Sequence, residues 1–217
     1  MDLNLIYLPW VAAAALVVVV LLAKRHFDRK RAAELTAQAL RLGLEPAGAS
    51  ETPPEAGLED MPLFGQGRGR TTSNVLRDGN GITVFDYSYT VGGGRNSSTY
   101  QQTVAAVRVG GEIPRFRLSP ETVLHRIGHK LGMQDIDFAT HPEFSKNYQL
   151  SADDEAAIRE WFSAAVLDHF NAESGWTVEG AGPWILAYRT AERVAPTDLG
   201  AFLDLSLIHI SEPTRPY

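Results

Sequence analysis

Cysteine is missing from this sequence of 217 residues, and an excess of positive charge is missing as well. Without cysteine the chain has no disulfide scaffold, no thiol nucleophile, no iron–sulfur cluster and no thiolate zinc site. Its 20 lysines and arginines are outnumbered by 26 acidic residues, which gives a formal net charge of −6. A nucleic-acid-binding domain carries a basic stripe, so we expect no nucleic-acid partner.

The longest apolar run lies near the amino terminus, over residues 3–23. At 1.5 Å of rise per residue it reaches about 31 Å, which matches the hydrocarbon core of a bilayer. Tyr7 and Trp10 lie near one end of the run, where interfacial anchors are found. A cleaved signal peptide is the alternative, but such a peptide has positive charge before its apolar run, and no basic residue precedes this one. We therefore predict a transmembrane helix over residues 1–23.

A cluster of five basic residues follows the apolar run, within a predicted juxtamembrane helix over residues 24–44. Its members are Lys24, Arg25, Arg29, Lys30 and Arg31. By the positive-inside rule, these charges place the rest of the chain in the cytoplasm. We interpret the cluster as facing the lipid headgroups, where each basic residue is attracted to an anionic leaflet.

Residues 45–62 are rich in proline and acidic residues and contain no basic residue. Such a segment buries too little apolar surface to offset its ordering entropy, so we predict a flexible, disordered linker. A globular domain is predicted over residues 63–204. Residues 205–215 resemble the translation of a sequencing adapter, and we predict that residues 205–217 are an artefactual tail outside the fold.

The globular segment is predicted to have an α+β fold. Residues 82–91 and 99–109 alternate or are rich in β-forming residues, which indicates a hairpin, and Arg115 begins a short third strand. Helices are predicted from Ser119 and from Ser151, the second running to Phe170, because serine caps helix starts. Residues 175–188 indicate a closing hairpin. Strands grouped with strands favour a small antiparallel sheet packed against two or three helices.

His125, His129 and Asp137 are the strongest candidates for chemistry. The two histidines are four residues apart on a predicted helix, so they share a face and can ligate one metal ion, with Asp137 as an oxygen ligand. The segment lacks the glutamate that a zincin uses as a general base, and Arg126 lies between the histidines. We therefore interpret it as a solvated helix face, and keep a small metal-dependent hydrolase as an alternative.

Five motifs carry a resemblance to a protein family. They are Gln102-Thr103-Val104, Pro114-Arg115-Phe116-Arg117-Leu118, Ser119-Pro120-Glu121, Ile136-Asp137-Phe138 through Pro142-Glu143-Phe144-Ser145, and Tyr148-Gln149-Leu150. Over residues 82–190 they resemble an uncharacterised family of bacterial single-pass proteins with a short amino-terminal anchor. The resemblance implies the bacterial inner membrane as the location and implies no activity or catalytic residue.

The sequence therefore favours a membrane-tethered cytoplasmic domain that binds a protein partner, with a role in envelope upkeep. We predict no catalytic residue and no cofactor, because no convincing set of catalytic groups occurs. Two alternatives stay open: the metal-dependent hydrolase using His125, His129 and Asp137, and an anionic-lipid sensor built on the basic juxtamembrane cluster.

Overall fold

The computed structural model describes residues 3–48, 52–123 and 134–208. Its first element is one long helix, α1 (Leu3–Arg41). Within it, Trp10–Arg41 is long and apolar enough to be a candidate membrane span. The chain turns after the helix at Gly43, whose φ of +76° is a left-handed conformation that glycine adopts without strain. The apolar and basic segments at the amino terminus thus form a single continuous helix.

Among the described residues, seven strands form one antiparallel sheet. They are β1 (Glu45–Pro46), β2 (Arg68–Arg77), β3 (Ile82–Val91), β4 (Ser98–Pro120), β5 (Gln134–Asp135), β6 (Tyr148–Ala152) and β7 (Trp176–Arg189). The hydrogen-bonded order is β1-β2-β3-β4-β6-β5, and β7 also pairs with β4. Together with the helices this sheet confirms the predicted α+β fold.

Strand β4 is the centre of the sheet because its length lets it pair with three other strands. Its first half pairs with β3, as Val104 does with Phe85, and its last residues pair with β6. Strand β7 runs along β4 from Val104 to Leu118. The short third strand predicted at Arg115 is therefore the end of β4.

The closing hairpin predicted over residues 175–188 is wrong, because all of these residues after Gly175 belong to the single strand β7. Its glycines mark a close approach and a bend rather than a hairpin turn. Gly180 pairs with Phe116 on β4, and the Phe116 ring lies where a side chain at position 180 would project. Gly182 has a φ of +55° at an irregularity in the pairing with β4.

Five further α-helices lie wholly within the described residues, and all are short. They are α2 (Pro62–Gly65), α3 (Pro142–Asn147), α4 (Glu155–Trp161), α5 (Ala164–Ala172) and α6 (Leu199–Ile208). The single helix predicted from Ser151 to Phe170 is wrong: Ser151 lies in β6, and two helices follow. Helix α4 begins after Asp154, whose carboxylate accepts a hydrogen bond from the Ala157 amide at 3.0 Å, and α5 begins after Ser163.

The helix predicted from Ser119 lies mostly outside the described residues. Ser119 itself is in β4, and helical conformation is described at residues 121–123. Residues 209–217 of the predicted tail are also outside the described residues, whereas residues 205–208 continue α6. The adapter origin of the tail stays a prediction.

The disordered linker predicted over residues 45–62 is contradicted by the packing of its described residues. Strand β1 pairs with β2, and Leu58 and Met61 are fully buried. Glu55 forms an ion pair with Arg77 and accepts a hydrogen bond from the Thr83 hydroxyl at 2.9 Å. The acidic and proline-rich composition predicts disorder, but Leu58 and Met61 anchor this segment to the domain.

Two hydrophobic cores lie on the two faces of the sheet, because successive residues of a strand point to opposite sides. The first core holds Leu35 and Ala39 of α1, together with three aromatic rings: Phe144 of α3, Phe162 directly after α4, and Phe170 of α5. The second core holds Leu58, Met61 and Phe64 of the segment after β1, against Tyr87, Tyr89 and Trp184 of the sheet. Helix α1 is thus part of the folded domain.

Candidate membrane-proximal site

Arg31 of α1 is bound to Asp86 at the middle of β3. The Arg31 Nε donates to one carboxylate oxygen at 2.8 Å, and its Nη2 donates to the other at 2.9 Å. The third nitrogen, Nη1, donates to the backbone carbonyl of Val194 at 2.8 Å. The two side chains are 15% and 7% exposed, so this is a largely buried bidentate pair. It joins the helix that carries the candidate membrane span to the centre of the sheet.

Other polar groups complete the surroundings of Asp86. The Asn74 amide donates to it at 2.9 Å, the Thr103 hydroxyl at 2.8 Å, and Arg193 at 3.4 Å. Burial alone raises the pKa of the Asp86 carboxyl, but the hydrogen bonds and charge of Arg31, with Asn74 and Thr103, lower it below its ordinary value. Asp86 is therefore ionised at neutral pH and fully satisfied.

The basic juxtamembrane cluster is divided by this arrangement. Lys24, Arg25, Arg29 and Lys30 are exposed, and Lys30 makes an exposed ion pair with Glu34 at 3.8 Å. Arg31 does not face lipid, so its inclusion in the predicted cluster is wrong. The signal that separates it is helical spacing: Arg31, Leu35 and Ala39 recur every four residues and share one face, and the last two are buried.

A cleft of about 210 Å³ lies beside the Arg31–Asp86 pair, between α1 and the sheet. We call it the polar cleft. Its walls are Lys24 and Asp28 of α1, Thr71 and Ser73 of β2, Ser88 of β3 and Gln101 of β4. Asp86 also lines it, as do Asn74 and Arg193. Lys24 directly follows the apolar run, so the polar cleft reaches the level at which α1 emerges from the predicted span.

A second buried charged centre lies on the opposite face of the sheet. Glu179 of β7 accepts hydrogen bonds from the Leu63 amide and from the Tyr188 hydroxyl, both at 2.8 Å. The Arg117 Nε lies 3.6 Å from the same carboxylate, and the two side chains are 5% and 0% exposed. Complete burial raises the pKa of Glu179, although Arg117, Leu63 and Tyr188 counteract it. This centre ties the Leu58–Phe64 segment to the sheet.

The predicted metal ligands are not brought together in the described part of the chain. His125 and His129 lie outside the described residues. The Asp137 side chain is exposed, and its backbone carbonyl accepts a hydrogen bond from Arg159 at 2.9 Å. Within residues 3–48, 52–123 and 134–208, no group of three or more histidine, cysteine or acidic residues is placed to hold a metal ion.

Comparison with known proteins gives one informative structural likeness. No family model and no curated protein sequence matches this chain. The crystal structure of the mycobacterial trehalose monomycolate transport factor A, TtfA, is similar in fold, with a TM-score of 0.52 at 12% sequence identity. The match covers 87% of this chain and 99% of that one. At this identity the likeness shows a shared fold.

Proposed function

We propose that this chain is a non-enzymatic, membrane-anchored accessory protein of the bacterial envelope, whose folded domain binds a protein partner. In this proposal α1 spans the inner membrane once and the domain lies in the cytoplasm. The carrying observation is the Arg31–Asp86 pair, because it fixes the domain to its own anchor.

A domain held in this way has a defined orientation relative to the bilayer. Arg31 lies eight residues after Ala23, the last residue of the apolar run, which corresponds to about 12 Å along a helix. Leu35 and Ala39 continue the same contact into the first core. A domain with a fixed orientation can present the same surface to a partner in the same membrane. A domain on a flexible linker has no fixed orientation.

The structural likeness supports the envelope role. The similar structure is that of a transport factor for trehalose monomycolate, and it shares the fold over most of both chains. The exposed basic residues Lys24, Arg25, Arg29 and Lys30 favour the cytoplasmic side for the domain by the positive-inside rule. Both observations agree with a membrane protein that assists the movement of envelope lipids.

Complementation tests this proposal. In a strain that lacks the protein, we expect an altered composition of surface lipids, which the wild-type chain restores. Arg31→Met should reach the membrane in equal amount and fail to restore the lipids, because the domain loses its fixed orientation. Lys30→Met is the matched control, since this neighbouring cation is exposed and should be dispensable. Unchanged surface lipids in the deletion strain, or full restoration by Arg31→Met, would contradict the proposal.

The side of the membrane is tested separately by labelling. The chain has no cysteine, so Gly111→Cys in the exposed part of β4 supplies a single reactive thiol. A membrane-impermeant maleimide should label this thiol in inside-out inner-membrane vesicles. It should not label the thiol in cells whose outer envelope has been permeabilised while the inner membrane stays intact. Labelling in the permeabilised cells would place the domain on the other side.

A further inference from the structure

We propose that the polar cleft binds the uncharged, hydroxyl-rich headgroup of a membrane glycolipid. This inference rests on the proposed function, because it requires the bilayer to meet α1 near Lys24. It adds a ligand site to a protein that is otherwise proposed to act through a protein partner.

The position of the cleft gives a lipid headgroup direct access. Lys24 and Asp28 form one wall, and Arg31 lies further along the same helix, where it binds Asp86, a residue of the cleft lining. The sheet forms the opposite wall. Ser88 lies two residues after Asp86 on β3 and pairs with Thr71 of β2 and with Gln101 of β4. Helix and sheet therefore enclose a space that begins where the apolar run ends.

The size of the cleft suits a headgroup rather than a whole lipid. Its volume of about 210 Å³ lies below the range of about 300–1,000 Å³ that is typical of pockets for drug-sized ligands. Acyl chains would remain in the bilayer, beside the exposed apolar surface of α1 at residues such as Leu21 and Leu22.

The hydrogen-bonding groups match hydroxyl groups. Thr71, Ser73 and Ser88 carry hydroxyls, which both donate and accept, and Asn74 and Gln101 carry amides with both capacities. The Thr71 and Ser88 hydroxyls are 2.7 Å apart and share one hydrogen bond, which uses only one of their two protons. A sugar presents the same mixture of donors and acceptors.

The charges in the cleft argue against an anionic headgroup. Its lining holds two cations, Lys24 and Arg193, and two carboxylates, Asp28 and Asp86. Arg193 is directed towards Asp86 at 3.4 Å and towards the Gln101 side chain at 3.4 Å. A phosphate would approach Asp28 and Asp86 as well as the cations, whereas a neutral polyol avoids that repulsion.

Lipid retention in nanodiscs tests the inference. The full chain is incorporated into phosphatidylcholine discs that contain equal mole fractions of a glucosyl diacylglycerol and phosphatidylglycerol, and the lipids that stay bound are identified by native mass spectrometry. We expect the glucosyl lipid to be retained in preference to both others. Gln101→Leu should reduce its occupancy about fivefold, as expected for one lost hydrogen bond, and Ser88→Leu should abolish it by filling the cleft.

Thr99→Leu is the matched control, because Thr99 is exposed on the same face of β4 and does not line the cleft. It should leave retention unchanged. Preference for phosphatidylglycerol, retention of neither lipid, or equal loss in Thr99→Leu and Gln101→Leu would each overturn the inference. None of these outcomes alters the complementation expected for Arg31→Met, so failure of the headgroup site is distinguishable from failure of the proposed function.

Discussion

The two buried arginine–carboxylate pairs lie on opposite faces of one sheet and are stabilised differently. Asp86 receives two hydrogen bonds from Arg31 and further ones from Asn74, Thr103 and Arg193. Glu179 is more deeply buried, and its arginine, Arg117, lies at 3.6 Å rather than 2.8 Å. Correspondingly, the pKa of Asp86 is lowered and that of Glu179 is raised.

The two ion pairs therefore have different structural roles. The Arg31–Asp86 pair lies beside a solvent-accessible cleft. Its two residues are 55 positions apart in the sequence, and it joins the helix that carries the candidate membrane span to the sheet. The Arg117–Glu179 pair joins neighbouring strands in register and is sealed under the second core. We expect loss of the first pair to release α1, and loss of the second to weaken the whole domain.

The largest effect is expected for Arg117→Met, which leaves the Glu179 carboxylate buried without its cation. Urea unfolding of the full chain in micelles should show a loss of about 3–5 kcal/mol at neutral pH. Adding Glu179→Gln should recover part of that loss, because the double variant has no buried charge and glutamine still offers an acceptor to the Leu63 amide and the Tyr188 hydroxyl. A single variant as stable as the wild type would mean that Glu179 needs no counter-charge.

A smaller loss, about 2–3 kcal/mol, is expected for Arg31→Met. Asp86 keeps donors from Asn74, Thr103 and Arg193, so its charge is not left unsatisfied. The same unfolding experiment measures it, with Lys30→Met as the exposed control. A loss equal to that of Arg117→Met would remove the distinction between the two pairs.

Packing beside the second pair gives the next prediction. The Phe116 ring occupies the space where a β-carbon at Gly180 would project. Gly180→Ala should therefore cost about 1–2 kcal/mol by overpacking. Gly111→Ala is the control, because no atom lies within 4 Å of its added carbon. Equal melting temperatures for the two variants would contradict this close approach.

The smallest expected effect is in the pH dependence of stability. Because the pKa of Asp86 is lowered in the folded state, its contribution is present above its unfolded pKa of about 3.9 and is lost as the pH falls through the folded pKa. Because the pKa of Glu179 is raised, its contribution is present below its unfolded pKa and is lost as the pH rises through the folded one. Unfolding of Asp86→Asn and Glu179→Gln across the acidic range should therefore remove slopes of opposite sign; slopes of one sign would refute the assignment.

The sequence predicts those strands and helices whose buried residues recur at a regular spacing along the chain. The alternating pattern of residues 82–91 predicts a strand, and the structure confirms it: Val84 and Phe85 lie on opposite sides of the sheet, in different cores. Strand β2 is not predicted from the sequence because most of its residues are polar and either exposed or only half-buried; within the strand, Val75 and Leu76 alone are buried. The segment before it was assigned as a linker because composition does not reveal where Leu58 and Met61 pack.

The candidate site was only partly visible in the sequence. The basic run after the apolar segment is plain, but its division into exposed cations and one buried arginine depends on Asp86, which is distant in sequence. Asp86 itself lies within β3, whose alternating apolar residues predict a strand and do not indicate a buried ion pair. Only tertiary structure pairs the two.

A distance measurement between α1 and the sheet tests the central claim most directly. The natural chain has no cysteine, so Ala33→Cys and Thr99→Cys place two spin labels at exposed positions on a clean background. In nanodiscs, double electron–electron resonance should give one narrow distance distribution, which Arg31→Met broadens. A broad distribution in the chain that retains Arg31 would show that the domain is not fixed to its anchor, and would contradict the account.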